Sequence, residues 1–166
     1  MDSLYFDLKM ILEKQSRVVA GMVEATREHN QALQDNDPAA IMAAVARLEE
    51  LSRALQELDQ EREIRQGRLV QQHGLPNNAA LKQLLPHVPV PALVKDLEQL
   101  AAGLQQNLTQ LAEINQLNHM LAQRGLAFTG QLMRIINPGC DTYAGSGELK
   151  NEEKNRSAFS IIDKTI

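Results

Sequence analysis

The sequence predicts an all-α fold. Aromatic residues make up 3% of the chain, Trp is absent, and Leu, Ala, Gln and Glu dominate, a composition typical of helix bundles. Apolar residues also recur at spacings of three and four along three long stretches, as they do on one face of a helix. We expect an elongated antiparallel helical bundle or coiled coil of three long helices, with a short connecting helix and a polar, flexible C-terminal tail.

The first two long helices are separated by the stretch "DNDP". Asp37 is a good N-cap, and Pro38 suits the first helical position because its missing N–H is not needed there. The first helix therefore runs from Asp2 to about Gln34, and the second from Pro38 to about His73, where Gly74 stops it. The first carries an apolar row with Gln15 in its one polar slot: Leu4, Leu8, Ile11, Val18 and Met22. The row of the second is Ile41, Val45, Leu48, Leu51, Leu55 and Leu58.

A segment with three prolines interrupts the pattern before the longest helix. Asn78 can cap a short helix through Leu85, after which Pro86, Pro89 and Pro91 forbid a continuous one. Pro91 opens the third long helix, which continues to the break "NPG" at residues 137–139. Its apolar row is Leu93, Leu97, Leu100, Leu104, Leu111, Ile114, Leu121, Phe128, Leu132 and Ile135. We expect a helical bundle domain over residues 1–137 and a flexible tail over 138–166.

The third helix is longer than the other two. At 1.5 Å per residue it spans roughly 65 to 70 Å, against roughly 50 Å for each earlier helix. Its C-terminal end is therefore expected to extend beyond the other two helices and to be accessible to a binding partner. Asn107, Asn118 and Gly125 break its apolar row. Either the asparagines fix register and the glycine allows a close crossing, or the end from Asn115 onward accepts a visiting helix.

Charge and composition exclude several classes of partner. The net charge is −4 and no Lys/Arg-rich block is present, so we expect no nucleic acid. No stretch approaches the length of apolar residues that a membrane span needs, and the N-terminus does not read as a secretory signal. Cys140 is the one cysteine and cannot form an internal disulfide. We expect a cytoplasmic protein without membrane insertion.

The sequence contains no arrangement typical of catalysis. None of the four histidines has Glu three residues before it, and no Gly-rich phosphate loop follows a strand pattern. Cys140 has no histidine near it in sequence. His119 could accept a phosphoryl group, but its basic neighbour Arg124 is five residues away rather than one helical turn. We expect a protein that is not an enzyme and that binds no metal or cofactor.

The end of the third helix resembles the FlgN family of flagellar export chaperones. The likeness lies in "INQLNHMLAQRGLAFTGQLMRIINPGCDTYAGSGELK", with the pair Asn115 and Asn118, an apolar run to Ile136, and Tyr143 with Gly147 in a Y-x-x-x-G turn. Ala144 stands where the family usually has glycine, which shifts the turn by a residue and bears on the docking role of Tyr143. The polar ending with a short basic and apolar tip is also similar.

The resemblance implies a carrier that binds the C-terminal helical segments of the hook–filament junction proteins FlgK and FlgL and delivers them to the flagellar export gate. The residues expected to bind partners are Asn115, Asn118, Leu121, Phe128, Leu132, Ile135, Tyr143 and Gly147. The tip "SAFSII" is then a clasp for substrate, a contact for the export machinery, or a segment packed on its own bundle. The alternative reading of the whole chain is a structural coiled-coil homo-oligomer without cargo.

Overall fold

The fold is all-α, as the sequence predicts. A computed structural model describes residues 2–136. Over this range the elements are α1 (Asp2–Asp35), α2 (Pro38–Gln72), α3 (Leu81–Leu84), a single 3₁₀ turn (Leu85–His87) and α4 (Pro91–Ile136). No strand occurs in the described part of the chain. The three long helices and the short connecting helix are therefore confirmed.

The turn between α1 and α2 is built by the residues expected to build it. Asn36 has φ of 50°, a left-handed conformation that Asn tolerates better than most residues. Asp37 N donates to Ala32 O at 3.0 Å, which closes the end of α1. The Asp37 carboxylate then accepts from the backbone N–H groups of Ala39 and Ala40 at 3.0 and 3.1 Å. One aspartate thus ends one helix and caps the next.

The C-terminus of α2 ends in the same kind of motif. Gly74 has φ of 63°, its N–H donates to Gln71 O, and Leu75 N donates to Val70 O at 3.0 Å. Both bonds satisfy carbonyls that the end of the helix would otherwise leave without partners. The prediction that Gly74 stops α2 is confirmed.

The connecting helix begins later than the sequence predicts. Asn78 lies in a turn that the bond from Ala79 N to Pro76 O closes at 2.8 Å, so its side chain is not the N-cap. The helix starts at Leu81, and the side chain of Gln83 accepts from the N–H of Ala80 at 2.9 Å. Backbone turn formation at 76–79 thus takes precedence over the capping preference of Asn78.

The helix α1 packs antiparallel to α2 and parallel to α4. Tyr5, near the start of α1, bonds to His73 after α2 at 2.8 Å, and Glu28 accepts from Arg47 at 2.8 Å. Lys9 Nζ donates to Asp96 at 2.6 Å, a hydrogen bond that joins α1 to α4 and raises the pKa of the lysine. Consecutive long helices are therefore antiparallel, as expected.

The core forms where α1, α2, the connection and the start of α4 meet. Its buried residues are Tyr5, Leu8, Leu12, Leu69, Val70, Ala79, Leu84, Leu93 and Leu97. Tyr5, Leu12 and Val19 are buried although the predicted row of α1 omits them, and Val18 and Met22 of that row are half-buried. The difference arises because α1 packs against two helices and buries a wider arc than one row.

The chain divides into two compact units, with the boundary between Leu121 and Ala122. The first unit holds α1, α2, the connection and the first part of α4. Of the second unit, the structure describes residues 122–136, which are the rest of α4. The predicted tail 138–166 lies outside the described residues, so the division at residue 137 stays a prediction.

Leu97→Ala is expected to destabilise the first unit by about 2–5 kcal/mol, because Leu97 is fully buried and truncation leaves a cavity. Leu117 lies on the same helix but is half exposed, so Leu117→Ala should change the free energy of unfolding by about 0.5 kcal/mol or less. Urea denaturation followed by circular dichroism measures both. Similar values for the two variants would contradict the assignment of the core.

Candidate functional site

The last part of α4 exposes large apolar side chains. Every side chain from Gln123 to Ile136 is exposed. Six of them are large and apolar: Leu126, Phe128, Leu132, Met133, Ile135 and Ile136. Phe128 is 62% exposed and Ile135 is 76% exposed. Single exposed apolar residues are ordinary on a protein surface, but a contiguous set is typical of an interaction site.

Three of the predicted binding residues form one row on this helix. Phe128, Leu132 and Ile135 are spaced by four and three residues, which places them on one face within about 60° of each other. All three belong to the unit that begins at Ala122. Leu121 belongs to the first unit and is half-buried there. The structure therefore presents Phe128, Leu132 and Ile135 to solvent as a first row.

Asn118 is buried and fully engaged inside the first unit. Its Oδ1 accepts from Asn30 Nδ2 at 2.6 Å, and its Nδ2 donates to the Thr26 carbonyl at 3.1 Å. The same Nδ2 lies 3.2 Å from His29 Nδ1, which accepts when His29 carries its proton on Nε2. Since these partners are all on α1, Asn118 fixes the register of α4 against α1.

Asn115 lies in a different environment. It is exposed on α4, three residues before Asn118, and its amide group is available to solvent. The two asparagines of the N-x-x-N pair thus have separate physical roles, one inside the helix packing and one on the surface. That separation was invisible in the sequence, because both residues have the same type and sit on the same helix.

Tyr143 and Gly147, the other two predicted site residues, lie outside the described residues, as does Cys140.

The first unit also has an open groove of about 640 Å³ between its three long helices. Leu12 and Val19 of α1 and Leu104 of α4 line its apolar part, and Gln15 bonds to Asp59 across it at 3.3 Å. The sequence alone does not predict this groove, because the groove depends on the distances between the packed helices.

The histidine pair His73 and His87 makes contacts that hold the fold together. Tyr5 bonds to His73, whose ring stacks on that of His87 with centroids 4.6 Å apart. Burial raises the pKa of the Tyr5 hydroxyl. These contacts attach the connecting segment to α1 and α2. His119, considered above for phosphoryl transfer, has an exposed side chain.

Within residues 2–136, no group of three or more His, Cys, Asp and Glu side chains is arranged to hold a metal ion. In the same range, no helix has the length and apolar character needed to cross a membrane. The candidate site is the exposed apolar surface of residues 123–136.

Comparison with known proteins gives one family. The family model described as FlgN protein matches residues 1–151. The match covers every helix of the structure and extends over the positions of Tyr143 and Gly147. No curated protein and no solved structure matches the chain.

Asn118→Ala is expected to lower the free energy of unfolding by about 1–3 kcal/mol, because it leaves buried polar groups of α1 without their partners. Asn115→Ala is the matched control on the same helix and should have an effect of about 0.5 kcal/mol or less. Urea unfolding of both variants measures the difference. Equal stability would contradict the role of Asn118 in joining α1 to α4.

Proposed function

Because the chain belongs to the FlgN family of flagellar export chaperones, we propose that it carries the hook–filament junction proteins FlgK and FlgL to the flagellar export gate in the cytoplasm. Its action is binding without catalysis. The observation that carries the proposal is the first row, Phe128, Leu132 and Ile135, exposed on α4.

The mechanism is the burial of one amphipathic helix on another. An export substrate that has not yet assembled has helical ends whose apolar faces lack a partner. Such a helix can lie along the first row, with its own apolar residues packed between Phe128, Leu132 and Ile135. While these faces are covered, the substrate cannot assemble through them. The carrier thereby prevents premature assembly.

The energetics suit a carrier that must also release its cargo. Full burial of one large apolar side chain contributes about 1.5–3 kcal/mol. Three such residues, with their counterparts on the substrate, offset a large part of the roughly 4–15 kcal/mol that association costs. The segment 122–136 is already helical, so the carrier loses little conformational freedom on binding. The resulting affinity is useful without being irreversible.

The remaining predicted site residues take supporting roles in this proposal. Asn115 is exposed and offers an amide for a hydrogen bond to the substrate. Asn118 acts indirectly, because its bonds to Asn30 and Thr26 hold α4 in register on α1. Leu121 contributes the half-exposed part of its side chain. By the family resemblance, Tyr143 and Gly147 belong to the contact with the export gate.

Phe128→Asp is expected to abolish binding of the C-terminal helical segment of FlgK, because binding would bury a charge in place of an aromatic ring. Isothermal titration calorimetry of the parent chain should give saturable binding with a negative heat-capacity change, the mark of apolar burial. Ala127→Asp is the matched control, since Ala127 is exposed, is turned about 100° around α4 from Phe128, and gains the same charge.

Two results would contradict this proposal. The parent chain could fail to bind the FlgK segment at high micromolar concentration, or Phe128→Asp and Ala127→Asp could bind it equally well. Analytical ultracentrifugation then tests the alternative reading. Concentration-dependent self-association that Phe128→Asp abolishes would assign the exposed face of α4 to a homo-oligomer.

A chain that ends after Asn137 is expected to keep the helical content of the described residues and to lose delivery of cargo at the export gate. The reason is that Tyr143, Gly147 and the apolar tip all follow the cut. Far-ultraviolet circular dichroism measures the helix content, and secretion of FlgK into the medium measures delivery. Unchanged secretion would remove the segment after Asn137 from the mechanism.

A further inference from the structure

The exposed end of α4 carries a second apolar row beside the first. Leu126, Met133 and Ile136 are spaced by seven and three residues and are 75%, 60% and 72% exposed. At about 100° per residue, they are turned by roughly 80–160° from Phe128 around the helix. The two rows together make an apolar arc of roughly 180°, and the arc lies entirely within residues 122–136.

The width of this arc decides what can cover it. One helix packed on another covers a narrow seam, because in a two-helix contact only two positions in seven face the partner. A substrate helix on the first row would leave Leu126, Met133 and Ile136 in water. Helices with an arc this wide are ordinarily in contact with two neighbours, as α1 is with α2 and α4.

We propose that residues 122–136 bind a pair of amphipathic helices from the export substrate, one on each row. This inference rests on the proposed function and specifies its partner as a helix pair rather than a single helix. Gly125 lies between the rows, and apart from its chain neighbours and the adjacent backbone of α4 no described atom lies within 4 Å of where its Cβ would be. The surface between the rows is therefore shallow, which allows the two bound helices to touch each other.

The charges of the segment specify the partner further. The chain has a net charge of −4, yet between residues 122 and 136 its charged residues are Arg124 and Arg134, with no Asp or Glu. Within residues 2–136, no ion pair engages either arginine. Arg124 is one turn before Phe128, at the edge of the first row. The helix on that row therefore carries Asp or Glu beside its apolar face.

The test compares one charge introduced at three positions of the full-length chain. Phe128→Asp alters the first row, Met133→Asp the second, and Ala127→Asp the opposite side of α4. All three side chains are exposed, so the fold tolerates the changes, and circular dichroism verifies this. Complete monomeric FlgK is the probe, because it holds every helix that could take part. Affinity is measured by calorimetry.

The expected result is a loss of affinity of about tenfold or more for both Phe128→Asp and Met133→Asp, with Ala127→Asp close to the parent. Arg124→Glu should lower the association rate and reduce its dependence on salt concentration. The same losses should appear in a chain that lacks residues 157–166, because the helix pair comes from the substrate.

Three outcomes overturn the inference. If Met133→Asp binds like Ala127→Asp while Phe128→Asp does not bind, a single helix is bound and the proposed function stands alone. If the effect of Met133→Asp disappears in the chain without residues 157–166, the second row is covered by the chain's own tip. If neither row matters, the proposed function fails as well.

Discussion

The packing of α1 against both α2 and α4 is the contact on which the first unit depends. Tyr5, Leu8 and Leu12 share one buried cluster with residues of both neighbouring helices, so loss of either neighbour exposes the same side chains. The polar contacts follow the same arrangement. Lys9 forms a hydrogen bond to α4, Gln15 forms one to α2, and Asn30, near the other end of α1, forms a second one to α4. These contacts specify direction and register, while the apolar cluster contributes most of the stability.

Both parts of α4 have apolar residues at helical spacing, but the first part buries them and the last part exposes them. In the first unit, Leu93, Leu97 and Leu111 are buried. In residues 123–136, the apolar side chains are exposed although the backbone is equally helical. A helix that is formed before it binds loses less conformational freedom on association. This makes an exposed helix face a suitable surface for the transient binding that a carrier requires, and its apolar chemistry needs no catalytic group.

Asn115 and Asn118 illustrate how much of the site depends on neighbours. Both are asparagines of one motif on one helix, yet one is exposed and the other is 4% exposed with bonds to Asn30 and Thr26. The motif therefore joins a structural residue to a surface residue. Phe128, Leu132 and Ile135 were predictable as one face from their spacing alone. Leu126, Met133 and Ile136 are spaced by seven and three residues and form a second exposed row on the same helix.

The sequence by itself determined the number of helices, the ends of the three long ones and the family. Pro38, Gly74 and Pro91 act through the geometry of their own backbone, so their effects can be predicted without knowing what surrounds them. The tertiary structure alone decided which side chains of the periodic rows are buried, because burial depends on residues remote in sequence. It placed Tyr5, Leu12 and Val19 in the core and Asn118 among the groups of α1, and it left the apolar end of α4 exposed. The start of α3 could also be assigned only from the structure, since the turn at 76–79 rather than a cap at Asn78 decides where that helix begins.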